Sequence, residues 1–211
     1  YNGYKVYWED GAQITPPHDK NILAEVAKVT EFSAVKTMEE DDARAEGLFQ
    51  VIGTDFDDRY VGKLKEQSIH PEIIKDAAKD MKIVYTPLHG TGNLPVRRVL
   101  KELGFTNVYV VPEQELPDGD FPTVSYPNPE AAEAFALGLA LGKKVDADLI
   151  LATDPDADRL GVYVKDAQTG EYHSLTGNMS GCLIGDYVIG QRKELFGLPE
   201  DGAFIRSIVS T

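Results

Sequence analysis

Residues 154–159 read Asp-Pro-Asp-Ala-Asp-Arg and follow the largely apolar run Ala147-Asp148-Leu149-Ile150-Leu151-Ala152-Thr153, so three carboxylates stand at alternate positions in a loop leaving a buried strand. Like charges a few ångströms apart repel and raise one another's pKa, whereas a hard divalent cation bound by carboxylate oxygens turns that repulsion into attraction. Asp154, Asp156 and Asp158 are therefore candidate ligands for Mg2+. A solvated acidic turn accounts for Asp and Pro one at a time, but not for three alternating Asp followed at once by Arg159. An EF-hand is excluded, because its Gly at loop position six and Glu at position twelve are replaced by Arg159 and Lys165. An arginine beside a carboxylate-held cation suits a phosphate ligand: the metal takes some of the oxygens and the planar guanidinium donates to others.

Such a loop needs a strand to carry it and neighbours to flank it. Met81 to Tyr85 predicts a strand, Asn93 to Leu103 a helix closed by Gly104, and Asn107 to Val111 a second strand, which makes a strand-helix-strand unit with a parallel pair. A Pro-rich loop from Pro112 to Pro129 leads to an Ala-rich helix over Glu130 to Leu141, ended by Gly142, and then to the strand before the aspartates. Three parallel strands result, and in open sheets of that kind ligands bind beyond the carboxyl ends of the strands. Pro87-Leu88-His89-Gly90-Thr91-Gly92 and the aspartate loop both occupy such positions. The Gly-Thr-Gly segment fails as a nucleotide loop: no Gly-Lys-Ser/Thr follows, and Pro95 stands where a dinucleotide fingerprint has its third glycine. His89 either faces the metal loop from a neighbouring strand end or is a hydrogen-bonded structural residue, and the residues alone leave both open.

Upstream, Tyr4 to Thr15 reads as a hairpin, His18 to Phe32 as a helix carrying Ile22, Leu23, Val26, Ala27 and Val29, and the acidic segment from Met38 to Thr54 as a solvated connector. Lys5, among aromatics, has the pattern of a snorkelling surface side chain. Asp55 to Gln67 and Pro71 to Lys79 are helical, the second with proline in its first turn. Downstream, Leu160 to Val164 and Glu171 to Ser174 predict a hairpin. A helix starts near Leu175-Thr176-Gly177-Asn178 and runs to about Phe196, with Cys182, Leu183, Tyr187 and Val188 on its buried face, and Phe204 to Val209 opens a further strand. The fold class is α/β, with a mixed, largely parallel sheet flanked by helices.

Of 211 residues, 42% are hydrophobic and 27% charged, enough for a proper core in one large or two small domains. A net charge of -14 without a basic stripe argues against nucleic acid or an anionic membrane surface as partner. The single Cys182 allows no internal disulfide and has no metal-ligand spacing around it, which fits a reducing cytoplasm. Neither a membrane span nor a signal peptide is expected. The chain opens on Tyr1 rather than Met and stops at Thr211 within a strand pattern, as an excised piece of a longer protein would.

Four segments in order, Tyr1-Asn2-Gly3-Tyr4-Lys5, Thr86-Pro87-Leu88-His89-Gly90, Asp154-Pro155-Asp156-Ala157-Asp158-Arg159 and Leu175-Thr176-Gly177-Asn178, resemble the α-D-phosphohexomutases, most closely the phosphoglucomutase/phosphomannomutase branch. The resemblance spans the whole chain and implies residues 1–50 as the tail of a first domain with a connector, 51–175 as the second domain with the metal loop, and 176–211 as the start of a third. It places the family's phosphoserine loop before Tyr1, and its sugar-reading loop and phosphate-binding fourth domain beyond Thr211, on remaining domains of the same polypeptide. By this similarity Asp154, Asp156 and Asp158 hold Mg2+ and Arg159 supports the transferring phosphoryl group. Lys5 matches an active-site lysine for proton transfer or charge stabilisation, and His89, Asn178 and Arg206 are assigned to substrate or phosphate. Arg206 stands where relatives usually carry lysine. The implied reaction, in the cytoplasm, passes a phosphoryl group from phosphoserine to a hexose 1-phosphate and takes one back from the reoriented bisphosphate. The implied partners are glucose or mannose phosphates and glucose 1,6-bisphosphate.

The same carboxylates also suit a metal-dependent sugar-phosphate phosphohydrolase that activates water, or a non-catalytic metal-binding module whose acidic surface serves a partner. Released inorganic phosphate marks the first, and a parent protein without a Ser-His-Asn loop marks the second.

Overall fold

The computed structural model describes residues 5–206. Residues 1–4, which include the Tyr4 start of the expected hairpin, and residues 207–211, which include the 207–209 end of the expected last strand, lie outside the described residues. Two compact units meet in sequence between Ile52 and Gly53.

In the first unit the hairpin reduces to one antiparallel bridge, Tyr7 with Gln13, beside which Trp8 stacks on His18 at 4.6 Å. Helix α1 (His18–Val26) is shorter than its apolar pattern, which runs on to Phe32. The β-branched Val29 and Thr30 favour extended backbone, and a short 3-10 turn, Phe32–Ala34, follows. The acidic connector contains a helix, α2 (Glu40–Ala45). Its periodicity is weak, but Glu40, Asp41 and Asp42 sit on its positive first turn, and Arg44 reaches back to Glu40 while covering the Phe49 ring.

The second unit opens with α3 (Thr54–Lys65), acidic in its first turn and basic in its last, and α4 (Pro71–Ala77), which starts on its proline. Strand β1 (Lys82–Thr86), helix α5 (Asn93–Glu102) and strand β2 (Asn107–Val110) form the expected unit, with β1 and β2 parallel. Helix α6 (Ala136–Val145) leads to β3 (Leu149–Thr153), which pairs in parallel with the other side of β1. Strands β4 (Leu160–Lys165) and β5 (Tyr172–Leu175) extend the sheet antiparallel, giving the order β2-β1-β3-β4-β5. The sheet is thus mixed, parallel across its first three strands. Helix α7 (Gly177–Phe196) follows, its first turn capped by the Thr176 hydroxyl, which accepts from Met179 N–H at 3.2 Å.

One face of the sheet presents Val84, Ile150 and Ala152 to a core completed by Leu88, Val111, Val124, Ala134 and Phe135. Alternation turns Ile83 and Tyr85, both buried, to the other face. Two readings need correction here. Gly142 does not end the Ala-rich helix: α6 runs through it to Val145 and stops where Asp146 takes the left-handed conformation, φ 58°. Gly142 is small because of its neighbour, since a Cβ there would stand 2.7 Å from Ile150 Cδ1. The second correction concerns α7, none of whose residues is buried; Cys182 is exposed and Leu183 is 59% exposed. The apolar pattern of α7 marks a face able to pack, and β4 and β5 are too lightly engaged to cover it. Residues 204–206 are irregular rather than strand.

These packing differences separate two otherwise alike helical glycines. Gly181→Ala, with nothing within 4 Å of the added carbon, should stabilise the chain by about 0.5–1 kcal/mol. Gly142→Ala should destabilise it by about 1–3 kcal/mol through overpacking against Ile150. Urea unfolding of both variants reads the two signs, and equal signs would sink the account of Gly142.

Candidate metal centre

Because β1 neighbours both β2 and β3, the chain leaves β1 toward one side of the sheet and returns past it to the other. The crevice beyond the carboxyl ends of β1 and β3, where Thr86 stands opposite Ala152, is the switch point at which such sheets bind ligands. Asp154 is the first residue beyond β3 and is fully buried. Its Oδ1 accepts the Arg159 backbone N–H at 2.9 Å and its Oδ2 accepts Arg159 Nε–H at 2.8 Å. Between them the loop turns tightly: Ala157 N–H donates to the Asp154 carbonyl at 3.0 Å, and Ala157 itself takes φ 59°. Asp156 and Asp158 are exposed on this turn. One oxygen from each of the three carboxylates lies within 4.8 Å of the others.

The charges respond to one another. Burial pushes the Asp154 carboxyl up, but the Arg159 backbone N–H and guanidinium, with the neighbouring Asp156, outweigh it and hold the group below the usual range. Asp156 goes the other way: the Asp154 carboxylate beside it, then burial and the charges of Asp154 and Asp158, push it up. Asp154 also raises Arg159, whose other neighbours include the Tyr126 phenol, and Asp158 lies 3.9 Å from Arg159 Nε. An all-oxygen donor set, close enough for one small ion and open on the Asp156 and Asp158 side to water or phosphate, fits a hard divalent cation such as Mg2+.

The loop is held from the β1 side by the Gly90-Thr91-Gly92 segment, which the sequence places at a ligand-binding strand end and excludes as a nucleotide loop. Thr91 N–H and Thr91 Oγ1 both donate to the Pro155 carbonyl, at 2.8 and 3.1 Å. A Cβ on Gly90 would stand 2.5 Å from that same oxygen, and one on Gly92 would meet Thr153 Oγ1 at 2.7 Å and Ala157 Cβ at 3.2 Å. Gly90 therefore permits close approach of two backbones, and Gly92 leaves room for the Tyr85 and Thr153 hydroxyls and the Ala157 methyl. The signal available in the sequence was a pair of glycines flanking a hydroxyl residue at a strand end next to the acidic one.

His89 does not face the aspartates. It is buried, its Nδ1 donates to the Leu116 carbonyl at 3.0 Å, its Nε2 meets the Thr123 hydroxyl at 3.0 Å, and Phe121 packs edge-on against it. Both ring nitrogens are thus engaged inside the chain, the hydrogen-bonded arrangement that is one of the two readings the residues leave open, while the assignment of His89 to substrate or phosphate rests on the resemblance alone. Asn178 and Arg206 are brought together, lining with Gly177, Asp186 and Phe204 an open cleft of 520 Å³ along α7 to which no aspartate of the loop contributes. Lys5 belongs to the first unit.

The raised Asp156 carboxyl has a definite consequence for the metal-free protein. Folding makes this group harder to ionise, so stability falls as pH rises through its titration and the deficit persists at neutral pH. Asp156→Asn should therefore melt above wild type in EDTA at neutral pH, with the gap closing as pH falls through the carboxylate range. A variant melting below wild type at neutral pH would make Asp156 a structural residue of the loop.

Comparison with known proteins follows the same lines. Residues 58–170 match the family model described as phosphoglucomutase/phosphomannomutase, alpha/beta/alpha domain II. A probable phosphomannomutase of Haemophilus influenzae is 38% identical over 193 residues, which cover 90% of this chain and 37% of that protein. The phosphoribomutase of Saccharomyces cerevisiae is 37% identical over 92% of this chain and 32% of its own length. A human glucose 1,6-bisphosphate synthase is 40% identical over 87% of this chain and 29% of its own. The chain thus spans about a third of the length of the curated relatives it matches. With the aspartate loop, the switch-point crevice and strands β1 to β4 all inside the matched segment, the chain belongs to the phosphoglucomutase/phosphomannomutase family and carries its alpha/beta/alpha domain II.

Proposed function

We propose that the chain supplies the metal-binding part of a Mg2+-dependent phosphomutase that interconverts hexose 1-phosphate and hexose 6-phosphate through a phosphoserine. The observation that carries the proposal is the cluster of Asp154, Asp156 and Asp158 oxygens within 4.8 Å at the carboxyl end of β3, with Arg159 attached. Its relatives bear the names of mutases and of a bisphosphate synthase acting on sugar phosphates, which supports the same reading. On this reading residues 1–50, 51–175 and 176–211 belong to three successive domains, and the other parts of the site come from elsewhere in the same polypeptide. The three aspartates would hold Mg2+, which when bound supplies positive charge against the transferring phosphoryl group. Arg159 keeps Asp154 oriented through Nε while its side chain, 46% exposed, offers further N–H groups to phosphate oxygens. Positioning and charge neutralisation do most of the work in phosphoryl transfer, so a rigid acidic loop and one planar cation are suitable parts.

Two measurements test this. The 211-residue chain should bind Mn2+ or Mg2+ weakly in titration calorimetry, because three carboxylates fill only part of an octahedral shell, and should show no turnover in a coupled assay of glucose 1-phosphate conversion, because on this reading the phosphoserine, the sugar-reading loop and the distal phosphate site lie elsewhere in the polypeptide. Turnover by the chain, abolished by Asp154→Ala, would require a nucleophile among these residues and overturn the assignment. In the full polypeptide, assayed on both hexose and pentose phosphates, Arg159→Lys and Arg159→Ala should each lose about a hundredfold in kcat. Near-normal kinetics for the lysine variant would reduce Arg159 to a general source of field.

A further inference from the structure

The geometry points to Thr91 as a positioning residue for the metal loop, acting through the Pro155 carbonyl to set where Asp156 stands. The inference rests on the metal reading proposed above and adds a residue to which that reading gives no part. A carbonyl oxygen has two lone pairs, and Thr91 addresses the Pro155 oxygen with two donors, its backbone N–H at 2.8 Å and its hydroxyl at 3.1 Å. That oxygen belongs to the peptide unit that ends at the Asp156 nitrogen, so fixing it fixes the plane from which the middle carboxylate is carried. The flanking residues prevent the plane from shifting toward β1: Gly90 abuts Pro155 with no room for a side chain, and Gly92 abuts Thr153 and Ala157. At the other end Arg159 fixes Asp154 by two contacts. Asp156 would otherwise move outward, because it carries the same charge as both of its neighbours and stands exposed on the turn. Cation affinity depends on the three oxygens already being close, so a clasp that resists this splaying raises affinity without touching the ion.

Thr91 is itself exposed at the loop tip, which lets its hydroxyl be removed without opening the core. Thr91→Val keeps the shape and the backbone donor but loses the hydroxyl; Thr91→Ser keeps the hydroxyl. Mn2+ titration of the 211-residue chain, followed by water proton relaxation, should give an affinity roughly tenfold lower for Thr91→Val and close to wild type for Thr91→Ser. Melting in EDTA should be the same for all three. Equal Mn2+ affinity in Thr91→Val and wild type would overturn the inference. So would a loss shared by both variants and accompanied by lower metal-free melting, since Thr91 would then be holding the fold. Wild-type chain that binds no Mn2+ at all would remove the metal reading first and this inference with it, an outcome distinguishable because it appears before any variant is compared.

Discussion

Three carboxylates within 4.8 Å of one another are the constraint on which the carboxyl edge of this sheet depends. Left to itself a six-residue loop would relieve the repulsion by turning its side chains outward. It is prevented from doing so at both ends by backbone contacts rather than by opposing charge alone. Arg159 holds Asp154 both through its guanidinium and through its main-chain N–H. Thr91 supplies two more donors to the peptide in the middle. The left-handed Ala157 is strained for a residue with a Cβ, and it closes the turn that keeps Asp154 and Asp158 on one side. These contacts give the loop the preorganisation that the proposed cation site requires.

The strand order makes those contacts possible. Thr91 can reach Pro155 because β1 and β3 are neighbours in parallel register, which ends both strands at one level. The end of the pair is stitched on one face by Tyr85 OH and Thr153 Oγ1 at 2.8 Å. On the other face Thr86 Oγ1 donates to Gln114 Oε1 at 2.7 Å, and Gln114 in turn receives His89 N–H on its carbonyl at 2.9 Å and donates from Nε2 to Thr123 at 3.1 Å. Gln114 is 1% exposed, so each of these bonds is made in surroundings where a missing partner would be expensive. Among the described residues no buried side-chain polar atom lacks a partner. Leu88 and His89, both with positive φ, lie inside this network, which is what holds them there.

The aspartate loop was legible in the sequence because its signal is chemical: few arrangements other than a cation site explain alternating carboxylates after a buried strand. Strands β1 and β3 were legible because their apolar runs coincide with real burial. The same periodicity misled at α7, where Leu183 and Tyr187 have helical spacing and no cover, since a pattern reports what a face could bury and not whether a neighbour is present. Gly142 was misread for a related reason. Glycine marks either a turn or a close approach, and only the position of Ile150 decides between them. His89 and the Gly90-Thr91-Gly92 segment depend on contacts with residues about 25 to 65 positions away, and no local window contains those partners.

Charge bookkeeping gives the proposed function its internal logic. The loop carries three formal negative charges and one positive, in a chain whose net charge is -14. A sugar phosphate approaching it without a metal meets repulsion that Arg159, already engaged with Asp154, cannot offset alone. A divalent cation brings the loop, Arg159 included, to formal neutrality and so removes that repulsion. Phosphate affinity is then conditional on metal occupancy, and linkage requires the reverse to the same degree: phosphate oxygens must tighten the metal by the factor by which the metal tightens phosphate. On the proposed function, weak metal binding by the isolated acidic loop and strong binding once a phosphoryl oxygen completes the shell are two sides of one coupling, set by the spacing of Asp154, Asp156 and Asp158.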